Sequence, residues 1–352
     1  MTLVLSSLKM CLDHGFDTVI DVRSPSEFAD DHIPGAINLP VLNNAERAKV
    51  GTIYKLQSPF TARKLGAALV FRNAANHIEH ALSHHGGAWR PMVYCWRGGQ
   101  RSGSFTWMLR EIGWRAEVVE GGYRTYRRLI TQTLYDDPLP FRIVQLGGYT
   151  GTAKTELLHL VRLQGVQVLD LEGLAQHRGS LLGAMKEGQP SQKAFESRLA
   201  LALNAMDRAR PILVEAESSK IGVLNLPPSL WDAMKKAPWL EITAPLPARA
   251  RYLAQAYEDI LADTEGLLKS LQPLRVHRGH TLVDHWADLI AENSKLALCQ
   301  SLAQDHYDPA YEKSMRSAAP KIAHSFHAAN LMQPALNELA GKISERIHSM
   351  DI

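Results

Sequence analysis

The chain has 352 residues, a length that suits two domains, and its 45% hydrophobic content provides for a sizeable core. A formal net charge of +3 leaves any nucleic-acid contact to local basic patches rather than to the chain as a whole. The three cysteines, Cys11, Cys95 and Cys299, form no C-x-x-C pair and speak against a disulfide framework or a structural zinc site; with no apolar run long enough to span a bilayer, a reducing, cytoplasmic setting away from membranes is expected.

Residues 17–21 (DTVID) read as a short buried strand, and 36–39, 92–94 and 116–119 repeat that pattern, with helix-like stretches at 61–75 and 102–112 between them. Strands that alternate with helices predict an open α/β sheet. Two acids and two prolines within residues 136–140 predict a linker. A second alternating pattern follows, with strands at 141–146, 166–169, 212–214 and 239–242, and beyond Pro247 the chain turns helical. The expected organisation is a domain over 1–135, a linker at 136–140, a second α/β domain over 141–247 and a helical region over 248–352.

The first chemical centre is Cys95-Trp96-Arg97-Gly98-Gly99-Gln100-Arg101, between a buried strand and a helix that starts near Ser102. Such a loop can curl its backbone N–H groups into an anion-binding nest, and Gly98 and Gly99 allow the positive φ that curling needs. Arg97 and Arg101 add positive charge; together with a helix N-terminus they favour the thiolate over a thiol of ordinary pKa about 8.5. Cys95 is the expected nucleophile, with Arg97 and Arg101 beside it. Cys11 and Cys299 have nothing nearby to activate sulfur and read as core residues.

The second centre is Gly147-Gly148-Tyr149-Thr150-Gly151-Thr152-Ala153-Lys154-Thr155, between a predicted strand and a helical run over 156–163. This is the context of a phosphate loop. Backbone groups around Gly148, Thr150, Gly151 and Thr152 wrap a diphosphate, Lys154 reaches it, and the Thr155 hydroxyl can meet a magnesium ion. Ala153 stands where the pattern has glycine, which costs about 1 kcal/mol if that position needs a left-handed φ. Asp170, Glu172, Glu215 and Glu217 follow predicted strands and are candidate acids for orienting a metal ion or serving as a base.

The runs Asp21-Val22-Arg23-Ser24-Pro25-Ser26-Glu27-Phe28 and His32-Ile33-Pro34-Gly35-Ala36-Ile37-Asn38-Leu39-Pro40 resemble the upstream signatures of rhodanese domains, and Glu120-Gly121-Gly122-Tyr123 resembles that family's turn after its last strand. Asp21 and Arg23 read as a brace for the loop. The C-x5-R spacing of Cys95 and Arg101 is one residue longer than the usual sulfurtransferase loop and resembles the related phosphatases, which suits a phosphate-sized anion such as selenophosphate or thiophosphate.

With the phosphate loop after it, the whole chain resembles the bacterial tRNA 2-selenouridine synthases, which are also geranyl-2-thiouridine synthases. Supporting runs include Cys95-Trp96-Arg97-Gly98-Gly99, Leu169-Asp170-Leu171-Glu172-Gly173, His177-Arg178-Gly179-Ser180, Gln189-Pro190-Ser191-Gln192-Lys193 and Tyr307-Asp308-Pro309. The resemblance implies a rhodanese domain fused to a P-loop NTPase-like domain with a helical C-terminal extension. It implies two reactions on the wobble 2-thiouridine of tRNA, S-geranylation from geranyl diphosphate and replacement of sulfur by selenium from selenophosphate. The partners it implies are tRNA and, as the source of the selenium donor, a selenophosphate synthase; no cofactor is expected to be tightly bound, and magnesium would be held at Thr155.

The run Tyr123-Arg124-Thr125-Tyr126-Arg127-Arg128 interleaves aromatic and cationic side chains in the manner of single-strand RNA readers, with Tyr123, Arg124, Arg127 and Arg128 as candidate contacts, and His177 with Arg178, and Arg275 with Arg278, are further candidate tRNA contacts. Two other readings fit the motifs. One is an ATP-dependent tRNA thiolase or small-molecule kinase with a fused sulfurtransferase domain. The other is an anion sensor in which both loops bind and neither reacts.

Overall fold

The computed structural model describes residues 2–180, 182, 183, 185 and 188–350, and the chain divides into two compact units. The first unit holds β1 (Thr2–Leu3), β2 (Thr18–Asp21), β3 (Ala36–Asn38), β4 (Pro91–Tyr94) and β5 (Glu117–Val119). They form one parallel sheet in the order β1-β5-β4-β2-β3. β4 is buried along its whole length, as a parallel strand covered on both faces must be. Residues 22 and 23 carry the chain past the end of β2, where Arg23 Nη2 meets Asp21 Oδ2 at 2.6 Å and also donates to the Asp31 carbonyl at 2.6 Å. The Arg23 guanidinium lies 4.0 Å from the Tyr123 ring centre. Both charges are fully buried, so removing one partner would cost about 3–5 kcal/mol. The pair ties the end of β2 to residue 31 and to the Tyr123 ring.

Between β3 and β4 the chain forms two helices, Asn44–Leu56 and Pro59–Glu79. Asn43 caps the first through the Glu46 N–H, with Glu46 returning the bond, and Ser58 caps the second with Pro59 in its first turn. Helices Gln100–Glu111 and Tyr123–Thr131 follow β4 and β5.

The segment Pro190–Asn204, expected within the second domain, belongs to the first unit. Its helix Gln192–Asn204 buries Phe195, Leu199, Ala200 and Leu203. Polar contacts fix it there: Ser197 Oγ donates to Asp31 at 2.9 Å, Lys193 Nζ reaches Asp30 at 2.6 Å, and the Tyr135 hydroxyl donates to Glu196 at 2.6 Å.

The second unit holds β6 (Ile143–Gly148), β7 (Gln167–Leu169), β8 (Ile212–Glu215), a small hairpin of β9 (Lys220–Ile221) and β10 (Leu224–Asn225), β11 (Trp239–Thr243) and β12 (Ile322–His327). Five of these pair in parallel in the order β12-β11-β6-β8-β7. β12 corrects the expectation that everything after residue 247 is helical. It is an edge strand in which Phe326 is the one buried side chain, so its apolar signal is faint. The rest of the region is largely helical. Leu336, Leu339, Ala340, Ile343 and Ile347 of helix Gln333–His348 join Leu157, Leu158 and Val161 of helix Lys154–Leu163 in one core. Among the described residues no helix is long and apolar enough to cross a membrane.

Candidate functional site

In open parallel sheets, ligands bind beyond the carboxyl ends of the strands. In the first unit that position after β4 is the Cys95 loop. Cys95 is 3% exposed, and the Ser102 hydroxyl donates to its sulfur at 3.1 Å. Ser102 is a site residue that the motif reading left without a role; it sits in the first turn of helix Gln100–Glu111, whose leading N–H groups have no intrahelical acceptor. The loop thus places a hydroxyl donor and a helix N-terminus against the sulfur.

Gly98 takes φ +65°, and a Cβ there would lie 2.6 Å from the Val119 carbonyl and 2.9 Å from the Gly121 nitrogen. The 120–123 turn therefore packs directly under the loop, and its backbone holds it: Tyr123 N donates to Cys95 O at 2.8 Å and Arg124 N to Trp96 O at 3.1 Å.

The two loop arginines part company. Arg101 donates to Glu27 Oε2 at 2.8 Å, and Glu27 is itself held by the Ser24 hydroxyl. Burial would raise the Glu27 carboxyl, but the hydrogen bond and charge of Arg101 win and draw it down to about 2. Glu27 is a second residue whose role the sequence reading missed. Arg97 is exposed and lines a cleft of about 580 Å³ with Trp96, Arg124, Arg128 and Lys193.

That cleft corrects the aromatic part of the RNA expectation. Tyr123 is 1% exposed with its hydroxyl bonded to Asp31, and Tyr126 is fully buried, so neither ring can stack a base. Arg127 is ion-paired with Glu196. Arg124 and Arg128 remain exposed on the cleft, and Trp96 is its half-buried aromatic.

In the second unit the loop after β6 has the conformation of a phosphate cradle. Gly148 and Gly151 have φ of +150° and +85°, and a Cβ on Gly148 would sit 2.5 Å from the Ile242 carbonyl. Ala153 takes φ +60°, so this position does carry the left-handed strain of about 1 kcal/mol. Lys154 Nζ donates to the carbonyls of Gly148 at 2.9 Å and Tyr149 at 3.4 Å, and the buried Thr152 hydroxyl donates to Tyr149 O at 2.8 Å. Thr150 offers its carbonyl to Arg249 Nη1 at 3.1 Å. Arg249 is nearly buried and forks onto Asp308 at 2.8 and 2.7 Å. This pair fixes the flank of the loop, and only its Asp308 half lay in a run that the sequence had marked.

Of the four candidate acids, three converge. Glu172, Glu215 and Glu217 each bring a carboxylate oxygen within 4.8 Å of the others. Thr155 Oγ1 lies 2.7 Å from Glu215 and 3.1 Å from Glu172. Burial first, and then the neighbouring carboxylates, raise all three above the ordinary range, against the opposing charge of Lys154. Glu215 Oε2 is buried without a hydrogen-bond partner among the described residues. Asp170 stands apart as the cap of the next helix, accepting from Gly173 N at 2.7 Å.

Beside Thr150 and Ser180 lies a hollow of only about 30 Å³, walled by Leu182, Leu253, Ile260, Leu261, Cys299 and Leu302 and closed by Tyr257 and Tyr307. Burial there raises the Cys299 thiol to about 11, as a core cysteine requires. Cys11 is likewise buried. The remaining basic candidates are already engaged. Arg178 forks onto Asp259 at 3.1 and 2.9 Å, His177 Nδ1 accepts from Gly179 N, Arg275 pairs with Asp284, and Arg278 donates to His306 O at 2.8 Å.

Two cradles of this kind on one chain match known families in the same order. Residues 5–129 match the Rhodanese-like domain, and residues 141–278 match the tRNA 2-selenouridine synthase AAA domain. A tRNA 2-selenouridine synthase of Shewanella woodyi is 31% identical over 336 residues, 86% of this chain and 89% of the relative. The chain belongs to the tRNA 2-selenouridine synthase family. A second relative of that name, from Alcanivorax borkumensis, is 34% identical over 86% of this chain and 91% of its own length. The match to the Nitrosomonas europaea synthase is 36% identical and spans 68% of this chain and 63% of the relative. The fold is therefore the family's: a rhodanese domain and an α/β phosphate-loop domain followed by a largely helical C-terminal region.

Proposed function

We propose that this chain is an enzyme that converts the wobble 2-thiouridine of tRNA to 2-selenouridine in two stages. In the first, the base sulfur attacks the donor carbon of geranyl diphosphate and the diphosphate leaves. In the second, the Cys95 thiolate takes the phosphoryl group of selenophosphate and frees its selenium as selenide, which adds at C2 of the base and expels geranyl thiol; water then clears the phosphoryl group from the cysteine as phosphate. The names of the relatives support the product. The arginines of the Trp96 cleft support an RNA partner, because exposed cations on one cleft favour a phosphodiester backbone.

The observation that carries the donor assignment is the cradle after β6, whose turn at Gly148 and Gly151 with Lys154 Nζ at its mouth suits a diphosphate. The test is reconstitution: purified chain, tRNA bearing 2-thiouridine, geranyl diphosphate and selenophosphate, with digested nucleosides read by mass spectrometry. The expected products are S-geranyl-2-thiouridine without selenophosphate and 2-selenouridine with it. ATP hydrolysis stimulated by tRNA, with geranyl diphosphate untouched, would replace this reading by the thiolase one.

Glu172, Glu215, Glu217 and the Thr155 hydroxyl form an all-oxygen donor set that fits a magnesium ion, and the orphaned Glu215 oxygen is the group such an ion would satisfy. When bound, the ion supplies positive charge against a diphosphate. The raised carboxyls make the proposal measurable. Between the ordinary value of 4.5 and about 8, the folded chain holds more protons at Glu172 and Glu215 than the unfolded chain does. Without a cation, the contribution of these two carboxyls to stability is therefore greatest below that window and falls as pH rises through it. Magnesium should raise Tm by several degrees at about pH 8 and hardly at about pH 5.5, since a ligand stabilises only as far as protons do not compete. Equal shifts at both pH values would remove the cluster as the cation site.

A further inference from the structure

The Cys95 loop borders two clefts. Its first half, Trp96 and Arg97, lines the basic cleft described above. Its second half, Gln100 and Arg101, lines another of about 680 Å³ against the helices Asn44–Leu56 and Pro59–Glu79. This second cleft is mixed: Leu42, Ala62 and Val70 form a buried aliphatic floor with half-buried Val50, and Gln100, Ser104 and the arginines stand around it. Its charged members, Arg47, Arg63 and Arg101, are all cations. Arg47 and Arg101 share the single carboxylate Glu27, at 3.8 and 2.8 Å, so the wall keeps a positive balance. At the hairpin of the two helices Tyr54, Leu56 and Phe60 are 56%, 78% and 69% exposed, which is unusual for side chains of that size.

An aliphatic floor under a rim of arginines suits an amphipathic ligand, a hydrocarbon joined to a polyanion. The position narrows it further. Whatever group is displaced from a base by chalcogen at Cys95 must lie next to that loop when the exchange occurs. If the group is a prenyl thioether, its tail either finds an apolar wall within reach or stays in water.

We propose that this cleft holds the prenyl tail of the S-prenylated nucleotide while its base is presented to Cys95. The inference rests on the two-stage reading above and adds a substrate subsite to it, one that would let the selenium step recognise its own intermediate. Helices Asn44–Leu56 and Pro59–Glu79 are then a specificity element of the Cys95 centre. Ala67, exposed on helix Pro59–Glu79 and lining the cleft, is the position where added bulk should matter most.

Burying one methylene favours binding about fourfold, so a ten-carbon tail that buries only about three of its carbons in the cleft should outweigh a methyl group by about 50-fold. The experiment uses the full chain, selenophosphate and two RNA hairpins, one carrying S-geranyl-2-thiouridine and the other S-methyl-2-thiouridine. The readout is the ratio of kcat/KM for 2-selenouridine formation. The native chain should prefer the geranyl substrate by about that factor, and Ala67→Trp should cut the preference to about fivefold or less. Val50→Gln, which makes the wall polar without filling it, should lower the ratio in the same direction. An unchanged ratio in both variants, with selenouridine still formed, would overturn the tail site and leave the two-stage reading standing. Failure of the native chain to convert either hairpin would count against the two-stage reading and take the tail site with it.

Discussion

A Cys95→Ser chain should make S-geranyl-2-thiouridine and no 2-selenouridine. Prenyl transfer needs no protein thiolate, because the nucleophile is the sulfur of the base. Selenium delivery needs a nucleophile that opens the P–Se bond of selenophosphate; a thiolate does so and a serine hydroxyl, with its far higher pKa, does not. The substitution is nearly isosteric at a side chain that is 3% exposed and touched by the Ser102 hydroxyl, so the loop should keep its shape. Selenouridine should fall by at least about 1,000-fold while the prenylated nucleoside accumulates in the same tRNAs, both read from one digest. Normal selenouridine in the variant would sink the mechanism. Loss of both products in a folded chain would mean that the two loops serve one step.

The two loops were legible because their chemistry demands particular residues in a fixed order. A strand that ends in cysteine before two glycines, and a strand that ends in glycines before lysine and threonine, leave little freedom. The parallel strands were legible too, since a strand buried on both faces must be a short apolar run, as Pro91–Tyr94 and Ile212–Glu215 are. What escaped were features decided by tertiary partners. The helix Gln192–Asn204 has an apolar face whose sequence does not say which sheet it covers. Tyr123, Tyr126, Leu129 and Ile130 fall on one helical face, and reading that period would have placed the tyrosines in the core; composition alone made them look like stacking platforms. Likewise four acids followed strands, and only the fold could bring Glu172, Glu215 and Glu217 together while leaving Asp170 as a cap.

Lys154→Ala should slow S-geranylation by about 100-fold or more in single turnover, an effect of the size seen when one preorganised charge donor is removed from a developing oxyanion. The argument is electrostatic. In the geranyl donor, negative charge builds on the departing diphosphate as the carbon–oxygen bond breaks. Lys154 Nζ is tethered at the mouth of the cradle by the carbonyls of Gly148 and Tyr149, so its charge is in place before the reaction begins. Alanine removes that charge but leaves the helix N-terminus of Lys154–Leu163 and the backbone of the loop, which bind an anion without the lysine. Ground-state affinity should therefore drop less than the chemical step, and kcat should fall further than KM rises. Alkylation of Cys95 should keep its native rate, because its loop lies in the other unit. A variant that prenylates at the native rate would place the diphosphate somewhere other than this loop. A variant that loses affinity alone, with kcat intact once saturated, would make Lys154 a binding residue and not a stabiliser of the leaving group.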